Sequence, residues 1–416
     1  MRAQADGTGI LKHGKSDTAA VLCFGALPVV ATVAEKGCVV LLALLALLGV
    51  VSAFRRGALA SLLPITATAV AVVVLAWIGY RGVDTFNGEA NVTKFLSIAA
   101  LVALAFAGAG LTRLMAPDIR ARALDAICVG IAVSLLIVAV GCVVSFLNIR
   151  VILHAIERAD KLSVFSSGMV VIALLTPMAV THLVRQGRMR HAAGLILAGA
   201  VLAVLSSSNA AALAFAVIAV AAPLLWKFPR VVPRLVAAGC ILGTLALPPA
   251  LALSLKVFDD GARPTTEQTY RTDPDGAAGS LGHRYYIWRF ATERALERPL
   301  AGWGLDTSRA IPGGHENIAI GKELMPLHPH NATLQLWLEL GVPGVLIGAL
   351  VYLLLFRHGF GDAMSDVEVF IKPLTLAAVF VVANATYGIW QTWWLSALAL
   401  VVAAMFMWDR QPAENR

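Results

Sequence analysis

The sequence predicts an all-α polytopic membrane protein, with about twelve transmembrane helices and a large, partly helical loop outside the cytoplasm. Three observations carry this. The chain is 59% hydrophobic and 14% charged, whereas soluble domains carry roughly 25% charged residues. The apolar residues fall in blocks close to the roughly 17–25 residues that cross a bilayer. The links between blocks alternate between basic and mixed charge.

Apolar blocks occur near 18–33, 38–54, 58–80, 96–112, 126–148, 167–184, 192–208, 210–226, 235–255, 333–356, 370–389 and 392–408. The first is expected as a retained span, since no signal-cleavage pattern follows it. One set of alternate links carries Arg55–Arg56, then Arg113/Arg120/Arg122, Arg185/Arg188/Arg190, Lys227/Arg230/Arg234 and Arg357. The other mixes signs: Glu35 with Lys36, then Arg81, Asp84, Glu89 and Lys94, then Arg150, Glu157, Arg158, Asp160 and Lys161. Cytoplasmic links are the ones rich in Lys and Arg. The first set is therefore expected in the cytoplasm together with both termini, and the long link on the opposite side. The chain divides as 1–255, a bundle of about nine spans; 256–332, the external loop; and 333–416, three more spans and a short tail.

The loop's first part, Asp259 to Ser280, is rich in Gly, Pro, Thr and Asp and reads as mobile. Leu281 to Arg298 reads as a helix with an apolar stripe of Leu281, Tyr285, Trp288 and Ala295. Pro299 and the turn Gly302–Trp303–Gly304 end it. Trp390, Trp393 and Trp394 are placed where an interfacial aromatic belt would be.

The net charge of +8 is spent on those links, and no basic-aromatic run suggests nucleic acid as a partner. Cys23, Cys38, Cys128, Cys142 and Cys240 all lie in or beside apolar blocks, so no disulfide framework is indicated. The chain shows no P-loop, GxSxG, HExxH or dinucleotide fingerprint, and no cofactor or metal is expected.

Chemistry concentrates in His328-Pro329-His330-Asn331-Ala332-Thr333-Leu334-Gln335, running on to Glu339, Gly341 and Gly344. Asn331 or Thr333 can cap the following span, which puts His330 at a helix N-terminus on the extracytoplasmic face. The partial positive charge there favours a neutral, proton-accepting imidazole and welcomes an anion. His328 and His330 read equally as ordinary interfacial residues. A second group is His283-Arg284-Tyr285-Tyr286-Ile287-Trp288-Arg289. Arginine's paired donors suit phosphate. Arg284 has no acid three or four residues on, whereas Arg289 stands four before Glu293 and can simply pair with it. Arg158 and Lys161 offer further cationic contacts on that side, or a solvated surface run. Ser206-Ser207-Ser208-Asn209 is a tight turn or a lining of a lipid site.

Arg284…Trp288, Arg298-Pro299-Leu300-Ala301-Gly302-Trp303-Gly304 and His328-Pro329-His330-Asn331…Glu339-Leu340-Gly341…Gly344 together resemble the signature of the O-antigen ligase/polymerase superfamily, most closely its lipid A-core ligases. The resemblance implies a multi-span glycosyltransferase of the bacterial inner membrane, with a periplasmic loop, active in lipopolysaccharide biosynthesis for the cell envelope. The donor it implies is a glycan linked to undecaprenyl pyrophosphate, and the acceptor is a sugar hydroxyl of lipid A-core. His330 takes the place of the family's catalytic histidine and Arg284 that of its loop arginine. Arg289, Arg158, Lys161, His328 and Asn331 are the further substrate-binding candidates. The family's Ser-Arg pair at a span end reads Ser208-Asn209 here, a departure that leaves its contact to Arg158 or another cation. An O-antigen polymerase shares these features. A transporter or lipid flippase would also fit twelve spans, but such proteins carry ionisable groups at the membrane midplane, and here the polar residues gather in one loop.

Overall fold

The computed structural model describes residues 15–146, 162–272, 277–318, 322–356 and 367–408. Its regular structure is helical: α1 Lys15–Val33, α2 Gly37–Arg55, α3 Ile65–Val83, α4 Val92–Leu114, α5 Pro117–Phe146, α6 Ser166–Arg185, α7 Met189–Leu205, α8 Asn209–Lys227, α9 Val232–Thr272, α10 Ala277–Glu297, α11 Ala332–Phe356, α12 Lys372–Ala383 and α13 Thr392–Met405. Eight of the described helices are long and apolar enough to cross a membrane, and four shorter apolar ones accompany them. Together they occupy all twelve expected blocks. Hydrocarbon offers no partner for a backbone N–H, so an apolar block this long is stable as a helix that satisfies its own.

Without a hydrophobic drive between helices in lipid, close packing of small residues holds them together. Helix α1 packs along α5 and α2 along α4. A Cβ on Gly130 would lie 2.0 Å from the Gly25 carbonyl oxygen, and one on Gly49 would lie 2.2 Å from that of Ala107. Larger side chains at either site would force these pairs apart.

Among the described residues, the basic links and the mixed links separate to opposite ends of the bundle; the links carrying Arg150, Arg158, Lys161 and Arg357 lie outside them. At the basic end, the Arg56 guanidinium donates to the Leu114 carbonyl, and Arg120 Nη2 donates to that of Arg113 at 2.9 Å. Arg113 and Arg185 lie over the rings of Phe406 and Trp408, beyond the end of α13. At the other end, Glu35 accepts from Ser167, and the α3–α4 link is stitched to the large loop. There Phe86 N–H donates to the Trp303 carbonyl at 3.1 Å and Leu305 N–H to that of Arg81 at 2.9 Å. Lys94 pairs with Asp306 at 3.1 Å.

Three expectations need correction. The segment expected to be mobile is mostly helix, because α9 runs unbroken to Thr272, across the 255/256 boundary, and α10 begins at Ala277. Packing of α9 on α10 and α11 overrides the low helix propensity of its Gly and Pro residues. The buried stripe of α10 keeps the expected Ala295, with Trp288 packed against it, but is centred on Ile287, Phe290 and Ala291, and the side chain of Leu281 lies outside the described residues. The tryptophans form no exposed belt: Trp390, Trp393 and Trp394 are buried. Tyr387 meets Trp393 edge-on at 4.7 Å and Trp394 at a tilt at 5.0 Å between ring centroids, and the Trp390 indole N–H donates to Glu339.

Helix α11 breaks at Gly341, where φ is +67° and ψ −161°. The break frees carbonyls, and the turn 299–304 docks on them. Trp303 N–H donates to the Leu338 carbonyl at 2.8 Å, Gly304 N–H to that of Glu339 at 2.9 Å, and Val342 N–H to that of Pro299 at 2.8 Å. A Cβ on Gly302, itself at φ +68°, would stand 2.4 Å from the Glu339 carbonyl carbon. The fully buried Glu339 carboxylate completes the lock. It accepts from Asp306 N–H at 2.6 Å, Gln335 Nε2 at 3.0 Å, the Ser308 hydroxyl and the Trp390 indole. The Pro-Leu-Ala-Gly-Trp-Gly and Glu-Leu-Gly motifs are thus two halves of one structural joint.

Candidate active site

The joint fixes the loop above the N-terminus of α11, where His328 and His330 lie. Asn331 is the helix cap, its side-chain oxygen accepting from Leu334 N–H at 2.9 Å. Asn384, in the link before α13, accepts from Thr333 N–H at 3.0 Å. Two of the first amides of α11, those of Thr333 and Leu334, are therefore already partnered. Two donors of the expected anion site at this helix end are thus taken by side-chain oxygens, and Asn331 is buried.

His330 sits in the left-handed region at φ +53°, which costs a non-glycine residue of order 1 kcal/mol. Two hydrogen bonds hold it there. Its N–H donates to His328 Nδ1 at 3.1 Å, and its own ring Nδ1 lies 2.7 Å from the Thr386 carbonyl oxygen. A carbonyl only accepts, so Nδ1 carries the proton, and the Nε2 of the neutral ring keeps its lone pair. His328 is the opposite tautomer, because its Nδ1 must accept. The rings are 4.3 Å apart between centroids.

Both rings are held neutral. Burial lowers the His330 pKa from its ordinary value; the Thr386 bond works the other way, and nearby Arg284 and His283 lower it further. Burial pushes His328 down to about 3, and the nearby His330 and Arg309 lower it further.

Helix α10 presents Arg284 to this site. Trp288 Nε1 donates to the Pro329 carbonyl at 2.9 Å, and Arg284 is one turn earlier on the same face. His283 Nε2 lies 2.8 Å from the Glu323 carbonyl oxygen and fixes the preceding position. Burial lowers the Arg284 pKa by working against its charge, and a guanidinium so stripped of water binds an anion more strongly.

An apolar cavity of about 490 Å³ begins beneath the histidines. Ala332, Thr333 and Asn384 line one end, and Leu355 and Met405 the other. The span from Ala332 to Leu355 is roughly 35 Å at 1.5 Å per residue. A smaller depression of about 320 Å³ lies between Arg81 and Arg298 beside the structural joint.

Of the residues singled out in the sequence, His328, His330 and Arg284 gather at one place. Arg289 pairs with Glu293 at 3.1 Å. Arg158 and Lys161 lie outside the described residues. The Ser206–Asn209 knot is a tight turn, with Ser207 at φ +56° and Ser208 buried against the Ser166 hydroxyl at 3.1 Å. Sequence reasoning missed Arg309, Asn384 and Thr386. The last two belong to a short polar interruption, Asn384-Ala385-Thr386-Tyr387, and its break in the apolar block 370–389 was the available signal. Arg309 carried none.

Residues 192–349 match the O-antigen ligase family, a stretch that includes Arg284, His330, Glu339 and Gly341. The chain is 28% identical over 256 residues to a candidate polysaccharide ligase of Rickettsia conorii, covering 60% of this chain and 59% of that one. It is 28% identical over 247 residues to one of Rickettsia felis, covering 57% and 56%. A third, from Rickettsia prowazekii, is 33% identical over 129 residues, 28% and 29% of the two chains. The match thus spans somewhat over half the length of the first two relatives. The resemblance to the O-antigen ligase superfamily drawn from the motifs is supported by these comparisons, and the relatives' names speak of joining polysaccharide.

Proposed function

We propose, on the premise of that similarity, that this protein is a lipid A-core O-antigen ligase. It transfers a glycan from undecaprenyl pyrophosphate to a sugar hydroxyl of lipid A-core on the periplasmic face of the bacterial inner membrane. The observation that carries the reading is the hydrogen bond from His330 Nδ1 to the Thr386 carbonyl, which leaves Nε2 as a base in a site supplied with a desolvated guanidinium. His330 Nε2 takes the proton of the acceptor hydroxyl, the oxygen forms its bond to the anomeric carbon, and the sugar–phosphate bond breaks on the opposite face. The configuration inverts. Undecaprenyl pyrophosphate leaves with the electron pair, and its charge falls on Arg284. Charge stabilisation replaces protonation of a leaving group that is already activated, so the chemistry balances without a metal. The apolar cavity below the histidines would take the polyprenyl chain.

His330→Ala is expected to lower transfer about 10²–10⁴-fold in reconstituted membranes, the usual contribution of a general base, with insertion unchanged. Full activity of that variant would remove His330 from the mechanism. Arg284→Lys should recover little, since a point charge replaces a planar fork. The polymerase reading separates from the ligase in a deletion strain: loss of a ligase leaves core with no O-chain, and loss of a polymerase leaves a single repeat attached.

A further inference from the structure

At the basic end of the bundle, far along the chain from the histidine site, α5 and α7 diverge around a groove of about 930 Å³. Its walls are apolar: Cys128, Val129, Ala132 and Leu135 follow one face of α5 at helical spacing, and Leu195 and Ala198 follow one face of α7. Its mouth carries Arg188, Arg190 and His191. The one acid there, Asp125, is engaged by His182 Nε2 at 2.9 Å and Gln186 Nε2 at 3.0 Å. Arg188 is the N-cap of α7 and makes no side-chain cap bond, so the start of that helix adds its partial positive charge to the two guanidinium groups. Val129 is 63% exposed, so the groove opens sideways, toward where the membrane's acyl chains lie.

We infer that this groove is a binding site for an anionic glycerophospholipid, its acyl chain between α5 and α7 and its phosphate between Arg188 and Arg190. The argument is the complementarity of an apolar slot with a cationic rim at the membrane surface, a pairing that anionic headgroups meet and zwitterionic ones meet less well. The site is independent of the transfer chemistry proposed above and stands or falls separately.

The test is a lipid titration of the purified full chain in detergent, read by native mass spectrometry and thermal shift. Dioleoylphosphatidylglycerol is expected to fill one tight site with an affinity about 30-fold above dioleoylphosphatidylethanolamine, the equivalent of about 1 kcal/mol from each arginine. Arg188→Gln combined with Arg190→Gln should collapse that preference to within about threefold while both lipids still bind. Gly194 lies in the lining, and a Cβ there would meet nothing within 4 Å. Gly194→Leu should therefore fill the slot without disturbing the fold and displace both lipids from the site. Equal affinity for the two lipids in the unaltered protein, or a preference that survives the double Gln change, would overturn the headgroup assignment. Phosphatidylglycerol binding undiminished in Gly194→Leu would overturn its placement. An equal shift from inorganic phosphate alone, or loss of a dimer rather than of lipid in Gly194→Leu, would also overturn it.

Discussion

Replacing Gly341 by Ala strikes the joint that sets the loop above α11. The residue's φ of +67° with ψ of −161° lies in a region open essentially to glycine alone, and a side chain there costs about 1–3 kcal/mol. The added Cβ would also stand 2.5 Å from the Leu300 oxygen, 2.6 Å from its carbonyl carbon and 2.8 Å from Ala301 N. These are backbone atoms and cannot rotate away. Relief requires the turn to retreat, which breaks the three backbone hydrogen bonds from Trp303, Gly304 and Val342, each contributing about 0.5–1.5 kcal/mol. Strain and lost bonds together amount to about 2.5–7.5 kcal/mol, a large share of a protein's usual margin. Gly239→Ala is the control, because a Cβ there meets nothing within 4 Å; it should stabilise α9 by about 0.5–1 kcal/mol. Reversible unfolding in detergent, followed by thermal shift, compares the two, and transfer activity reports whether the loop still covers the site. If Gly341→Ala lies within about 1 kcal/mol of the unaltered protein, the joint does not constrain the loop as argued.

Other perturbations read other parts of the site. With His330 as the base proposed above, transfer is expected above the lowered pKa of that group and should be lost as pH falls through it. Arg284→Gln removes one of the lowering influences and should move the acid limb of kcat/KM to higher pH; an unmoved limb would uncouple the two residues. His328, charged with ease in the unfolded chain and held neutral down to about 3 when folded, should make the protein progressively less stable as pH drops from about 6.5 toward that value. A flat stability profile would show that the ring is solvated. Glu339→Gln should destabilise by about 1–3 kcal/mol despite its shape, because its NH2 would face donors from Asp306, Ser308, Gln335 and Trp390; a neutral result in thermal unfolding would refute that network. Asn331→Ala should cost about 1 kcal/mol through the lost cap and slow transfer only indirectly, whereas a loss of activity as deep as that of His330→Ala, with stability intact, would make Asn331 a direct contact.

The spans were legible because hydropathy is a local property: each apolar block becomes a helix for the same reason wherever it stands. The sorting of basic from mixed links was legible too, and the structure brings Arg56, Arg113 and Arg185 to one end and Arg81 and Lys94 to the other. His330 and Arg284 were singled out by residue type and motif resemblance, and the structure brings them near one another. The limits of local reading appear at Trp390, Trp393 and Trp394, whose composition suggests an interface but whose surroundings bury them, and at α9, which packing carries past its glycines and prolines.

What the chain determined by itself, then, was which segments are long and apolar enough to cross a bilayer, how the charge of the links alternates, and which imidazole and guanidinium are candidates for chemistry. What only the tertiary structure decided was the state of those groups. The proton on His330 is assigned by a carbonyl at Thr386, the helix start beside it is sealed by Asn384, and the height of the loop is set by the break at Gly341. Each of these depends on partners some 35–56 residues away in the sequence, and a hydrogen bond between distant residues leaves no periodicity, spacing or composition by which the chain alone could announce it.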